Sequence, residues 1–203
     1  MKLICIGSNY EKHIDELGNI IQEHPVVFLK PDSAVINCNQ PFFIPDIFSD
    51  IHHELELLVK INKVGKYIDK EFAHTYYDKI GLGLDFTARD LQNKLKLNGL
   101  PWEKAKAFDG SALIGKWVSK SNFKNLSNIN FSLKKNQFLV QIGNTSDMMW
   151  GIDEIISYIS RYFTLKIGDI IFTGTPSGVG PVFSGDILKG YIENEEFFSI
   201  KIK

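Results

Sequence analysis

Apolar and polar positions alternate most regularly between residues 51 and 61. Ile51, His53, Leu55, Leu57, Val59 and Ile61 fall on one side at the two-residue period of a strand, and His52, Glu54, Glu56, Leu58 and Lys60 on the other. The pattern predicts one continuous strand over 51–61. Shorter apolar runs predict strands over Met1–Ile6, Ile80–Phe86 and Ile170–Thr173. The runs FSL and FLV, separated by polar KKNQ, predict a hairpin over Phe131–Val140. Pro25, Pro31, Pro41 and Pro45 punctuate residues 24–50, so strands and loops are expected there rather than helix.

Helical spacing is confined to short stretches. Tyr10–Leu17 predicts one or two turns, ended by Gly18 and Asn19. A helix is expected over Asp69–Lys79, and another capped by Thr87 that runs through Leu91 and Leu95 to about Leu97, where Asn98 and Gly99 stop it. Ile152, Ile155, Ile156, Ile159 and Phe163 form the apolar stripe of a third, started by Ser146 or Asp147. No internal repeat or interdomain linker interrupts the order. The expected architecture is α+β, rich in strand, with a few peripheral helices in a single domain over 1–203.

Composition narrows the function classes. At 203 residues, 44% hydrophobic and 23% charged, the chain has the make-up of a globular domain that needs no disulfide to build a core. A net charge of −1 argues against sequence-independent binding of nucleic acid. No run approaches the roughly 18 apolar residues of a membrane span, and the N-terminal apolar run is too short for a signal peptide. A cytoplasmic protein without nucleic-acid or membrane partners is expected, so the sequons at Asn125, Asn130 and Asn144 carry no weight. Cys5 and Cys38 belong to no C-x-x-C pair, and Cys5 within Leu3–Ile6 reads as a small buried hydrophobe.

Several residues could carry chemistry. Glu54 and Glu56, two apart in a strand, place carboxylates on one face about 7 Å apart. A hard cation between them would offset their repulsion, although on the pair alone a solvated face of an edge strand with Lys60 as partner is the favoured reading. Asp85 closes the strand GLGLD, where a cap or turn aspartate is common. Gly81-x-Gly83 lacks the third glycine of a dinucleotide loop. His13 and Glu16 are neighbours on a helix, an imidazole beside a carboxylate that can orient it as a base, or a chance surface pair. Lys106, among aromatic and small residues in WEKAKAFDG, could stabilise an oxyanion if buried. The loop Thr173-Gly174-Thr175-Pro176 offers hydroxyls and N–H groups able to hold a carboxylate, though most such loops simply turn. His53, on the apolar face, reads as a hydrogen-bonded core histidine.

The order of these segments resembles one family, the fumarylacetoacetate hydrolases. IGSNYEKHIDELGN, FLKPDSAVI, HHELELLVKI, GLDFTARDLQ, LPWEKAKAFDGSALIG and GDIIFTGTPSGVGPVFSGD are similar to its motifs in sequence order, from residue 4 to residue 186. The resemblance implies a mixed β-roll or barrel like the C-terminal domain of that family, often as a homodimer. Residues 1–45 would form an N-terminal segment with a lid, and 46–203 a metal-binding core. It implies Glu54, Glu56 and Asp85 as ligands of Mg²⁺, Mn²⁺ or Ca²⁺, a His13–Glu16 dyad, Lys106 in the active site, and Gln92, Gly174 and Thr175 against the substrate. Ser8 stands where arginine is usual, and Leu113 where proline is frequent. The leading expectation is hydrolysis of a carbon–carbon bond in a 2,4-dioxo acid such as an acylpyruvate. The alternative is isomerisation, tautomerisation or decarboxylation of a 2-oxo acid such as oxaloacetate. A third, non-catalytic metal-binding reading is disfavoured by the complete set of residues.

Overall fold

The computed structural model describes residues 1–37 and 40–203, and Cys38 lies outside them. The chain opens with β1 (Leu3–Gly7), α1 (Glu11–Glu16), β2 (Val26–Lys30) and β3 (Val35–Asn37). β4 (Ile51–His53), β5 (Leu55–Ile61), α2 (Lys70–Ala73), β6 (Tyr77–Asp85), β7 (Thr87–Ala88), α3 (Arg89–Leu97), α4 (Glu103–Lys106) and β8 (Ala112–Ser119) follow. The chain closes with β9 (Asn130–Lys135), β10 (Phe138–Asn144), α5 (Ile152–Ser160), β11 (Ile170–Phe172), β12 (Gly180–Pro181), β13 (Ile187–Ile192) and β14 (Glu195–Lys201).

Among the described residues the strands form three sheets. The largest has the order β2-β1-β11-β5-β6-β8-β3, curled into a half-barrel. β1 runs parallel to β11 and β3 to β8, while the central β5–β6 pair is antiparallel with Glu56 opposite Gly83. Alternation along the strands fills both faces of this sheet. Ile4, Ile6, Leu55, Leu57, Val59 and Ile61 enter the main core, and Leu3, Cys5, Leu58 and Phe172 a smaller one behind it. Cys5 is thus the buried small hydrophobe expected. Gly83 owes its identity to the sheet: a Cβ there would lie 2.3 Å from the Leu113 carbonyl oxygen, so β6 and β8 could not approach as they do. The hairpin β9–β10 turns at Asn136 and Gln137, both at positive φ.

Four expectations are corrected. The run 51–61 is two strands. β4 pairs with β7 and β12 in a small sheet and β5 joins the large one, with Glu54 at the joint. The helix expected over 69–79 ends at Ala73, followed by a 3-10 turn, because Tyr77 already pairs with Ile61 as a strand. Thr87 does not cap α3. It lies in β7, and Ala88 precedes the helix without a side-chain cap. α5 begins after Gly151, whose N–H donates to the Glu154 carboxylate at 3.0 Å, and not at Ser146 or Asp147, which sit in a 3-10 turn. Polar residues near a helix start mislead when a nearby strand pairing claims the backbone first.

Candidate active site

The joint at Glu54 is where the two sheets bring acidic groups together. Asp85 at the end of β6 donates its N–H to the Glu54 carbonyl at 2.9 Å, which aligns the strand end with the joint. One carboxylate oxygen each from Glu54, Glu56 and Asp85 lies within 4.8 Å of the others, and all three residues are buried. Lys60 is not their partner. It points instead over the Trp117 ring, 5.6 Å from its centroid.

Three other cations reach the cluster. Lys106 Nζ donates to Glu54 Oε2 at 2.8 Å, Asp85 Oδ2 at 2.9 Å and Thr87 Oγ1 at 2.6 Å, so its three hydrogens are all used. Arg89 Nη2 bonds Glu54 Oε1, and Nη1 donates to Gln92 Oε1 at 2.6 Å. Lys30 Nζ stands 2.7 Å from Asp85 Oδ1 as an ion pair without hydrogen-bond geometry, and donates to Ser111 Oγ at 3.0 Å. Lys30 and Arg89 escaped the reading of single residues. Their signals were their places in FLKP and TARD, a lysine closing an apolar strand and an arginine four residues beyond Asp85.

The two glutamates differ in charge state. Burial disfavours the charged form of Glu54, but Lys106, Arg89 and His13 outweigh it and hold the carboxyl well below the ordinary range. For Glu56, burial together with Asp85 and Glu54 pushes the carboxyl well above that range, and Lys106 and the Gly174 N–H only partly oppose this. Glu56 has no ion pair among the described residues. Its Oε2 accepts from Gly174 N at 2.6 Å. That approach needs glycine, since Gly174 has φ +99° and a Cβ would lie 2.8 Å from Asn9 Cβ. A frustrated buried carboxylate, an Asp85 oxygen without a hydrogen-bond donor and an all-oxygen donor set fit a hard divalent cation.

α1 covers this cluster. His13 is buried, its Nδ1 is 3.1 Å from Glu16 Oε2, and Glu16 Oε1 accepts from Gly178 N at 3.0 Å. Burial lowers the His13 pKa from 6.5, with Glu54 and Glu16 pulling the other way. In its neutral form the ring donates from Nδ1 to the carboxylate and keeps a lone pair on Nε2. Asn9 anchors the segment, its Nδ2 donating to the Thr173 carbonyl at 2.7 Å and its Oδ1 accepting from Trp150 N at 2.8 Å. His13, Glu54, Glu56, Arg89, Gln92, Lys106 and Thr175 all line one cleft, of about 30 Å³.

A family model described as fumarylacetoacetate (FAA) hydrolase C-terminal matches residues 2–201. The chain belongs to the fumarylacetoacetate hydrolase family. It is 44% identical over 188 residues to the oxaloacetate tautomerase YcgM of Escherichia coli K12, covering 92% of this chain and 86% of that one. It is 41% identical to the mitochondrial oxaloacetate decarboxylase of Dictyostelium discoideum, over 93% and 87% of the two chains. Among solved structures, the fumarylpyruvate hydrolase of Pseudomonas aeruginosa, in complex with Mn²⁺ and pyruvate, superposes with a TM-score of 0.94 at 34% identity, over all of this chain and 89% of that one. No helix among the described residues is long and apolar enough to cross a membrane.

Within this fumarylacetoacetate hydrolase fold, Ser8 lines the cleft at φ +58°, and Leu113 is buried in β8. Gln141, on β10, went unnoticed in the sequence. Its Oε1 accepts from His53 Nδ1 and Leu55 N, both at 3.0 Å, and its Nε2 donates to Thr175 Oγ1 and the Pro176 carbonyl, both at 2.9 Å. The Leu55 N–H and the Pro176 carbonyl fix which way the amide points. His53 is the hydrogen-bonded core histidine expected, its pKa lowered by burial to about 4. Gln141→Leu would leave those partners buried and unpaired. We expect a loss of about 4 kcal/mol or more, at roughly 1–3 kcal/mol for each of the four orphaned groups, read as a fall in thermal midpoint. An unchanged midpoint would mean that the amide is not structural.

Proposed function

We propose that the chain interconverts tautomers of oxaloacetate, or a close 2-oxo dicarboxylic relative, by moving a proton at the carbon next to the 2-oxo group. The observation that carries this reading is His13, a buried imidazole held by Glu16, lining a cleft that Glu54 and Glu56 also line, with Asp85 clustered against them. The likeness to an oxaloacetate tautomerase and an oxaloacetate decarboxylase supports this alternative over the hydrolysis first expected. A divalent cation held by Glu54, Glu56 and Asp85 would supply Lewis acidity towards the 2-oxo oxygen.

The residues divide the remaining work. His13 Nε2 takes the C3 proton of the keto acid and returns one to the enol oxygen or to C3, while Glu16 keeps the ring in the right tautomer. Gln92 and Thr175, which line the cleft, orient the acid, while the Gly174 N–H, expected against the substrate, is given instead to Glu56. Thr175 Oγ1 accepts from Gln141 at 2.9 Å and donates only a long bond of 3.5 Å to the Pro176 carbonyl, which an acceptor in the cleft would replace. Lys106 neutralises and fixes Glu54 and Asp85, and meets an oxyanion by releasing one of its three acceptors. Hydrolysis of acylpyruvates is the second reading, favoured by the same dyad and by the likeness to a fumarylpyruvate hydrolase. In that reaction His13 takes its proton from water. An assay of the enol absorbance of oxaloacetate, beside pyruvate release from acylpyruvates, tests the choice. Pyruvate release without enol decay would sink the tautomerase reading.

The cleft also predicts motion. A volume of about 30 Å³ holds about two waters at the roughly 10–15 Å³ each requires, less than a dicarboxylic acid needs. α1 must therefore shift beyond its anchor at Asn9 to admit substrate and settle back over it. Amides of residues 11–19 are expected to gain protection from hydrogen exchange when oxalate and Mg²⁺ are added. Equal exchange with and without them would rule out the lid.

A further inference from the structure

We propose that Lys96 receives the second carboxylate of the substrate, so that the cleft selects 2-oxo dicarboxylic acids over monocarboxylic ones. The proposal rests on reading the cleft as a 2-oxo acid site. Arg89, Gln92 and Lys96 follow one another at positions i, i+3 and i+7 on α3, one face of the helix, and all three line the cleft.

They are not equally free. Arg89 is held by Glu54 and Gln92, and Lys106 by Glu54, Asp85 and Thr87. Both oxygens of Glu54 are thereby occupied. The Lys96 ammonium has neither an ion pair nor a hydrogen bond among the described residues. Its Nζ lies over the Trp102 ring, 5.2 Å from the centroid, and Trp102 lines the same cleft. The ring fixes the stem and directs the ammonium without consuming its three hydrogens.

The charges around Lys96 point the same way. Burial, then Arg89, then Lys106 disfavour its charged form, and only Glu54 favours it. A half-buried cation beside two others lacks an anion. A 2-oxo acid bound by its carboxylate and oxo group beside Glu54 and Glu56 would share the cleft with Lys96, where a second carboxylate would complete the pairing that the protein leaves open. A monocarboxylic acid offers nothing to this group.

Lys96→Met tests the idea, because it keeps a stem of similar length against Trp102 and removes only the charge. Mg²⁺-loaded wild type and variant would be compared for the KM and kcat of oxaloacetate, for inhibition by oxalate and pyruvate, and for direct binding of oxaloacetate and pyruvate by calorimetry. KM and the dissociation constant for oxaloacetate are expected to rise about tenfold, the scale of one charge-assisted hydrogen bond. The kcat, and the affinities for oxalate and pyruvate, should stay the same, and Lys96→Arg should restore oxaloacetate binding. An equal loss for all three acids would make Lys96 a general source of positive field and overturn the proposal, as would an unchanged oxaloacetate affinity. If the wild type binds oxaloacetate in a Lys96-dependent way but does not interconvert its tautomers, the tautomerase reading fails and the Lys96 site stands. If it binds none of the three acids, both fall.

Discussion

His13→Ala is expected to lower the turnover of oxaloacetate by about 10²–10⁴-fold, the usual worth of a positioned general base, and to leave Mg²⁺ affinity unchanged. His13 pairs with Glu16 and is not one of the three carboxylates that would hold the ion. Glu16→Gln should lose less, because an amide oxygen can still accept from Nδ1 but cannot stabilise the charged ring. The pH profile adds a sign. A base works unprotonated, so activity rises with pH through its pKa and is flat above it. Burial lowers the His13 pKa from 6.5, so the acid limb of kcat/KM should lie below that value and vanish in His13→Ala. A limb above it, or one that survives the substitution, would assign the base elsewhere.

Glu54→Ala is the second large effect and differs in kind. It removes one of three clustered carboxylates and strips Arg89 and Lys106 of a buried partner at once. Every metal-dependent reaction should be lost together with tight Mg²⁺ or Mn²⁺ binding. Stability should also fall by about 3–5 kcal/mol, as when one member of a buried ion pair is deleted. Calorimetric titration with Mn²⁺ and a denaturant midpoint separate the two losses. Full metal affinity in the folded variant would show that Glu54 is not a ligand. Glu56→Ala provides the contrast: it removes a carboxylate that burial and its acidic neighbours hold well above the ordinary range. It should therefore cost metal affinity with little loss of stability.

What could be read in advance follows from how far each signal reaches along the chain. The two-residue period over 51–61 placed Glu54 and Glu56 on one face, and local apolar runs located β1, β6, β11 and the β9–β10 hairpin. The break at Glu54 could not be read, because it depends on β4 pairing with β7 and β12 rather than on residues nearby. Thr87 looked like a cap for the same reason: a distant pairing put it in β7 and turned its hydroxyl to Lys106. Lys30, Arg89 and Gln141 are ordinary residues in sequence, and their roles arise from partners 81, 35 and 86 positions away. Their positions in family-like motifs were visible while their contacts were not. From its sequence surroundings Lys106 is either a partly buried lysine or an ordinary exposed one, and the structure buries it. The structure adds that all three of its hydrogens are used within the protein.

Proton transfer at C3 is the centre of this account, and deuterium exchange measures it without waiting on any later step. Oxaloacetate in D₂O would be followed by proton NMR with the wild-type protein and Mg²⁺, with a chelator in place of Mg²⁺, and with His13→Ala. We predict exchange of the C3 hydrogens well above the spontaneous rate with wild type and Mg²⁺ only, falling to the spontaneous rate with chelator or without His13. Exchange no faster than spontaneous in the wild type, with acylpyruvates cleaved to pyruvate under the same conditions, would contradict the account and return the chain to hydrolysis.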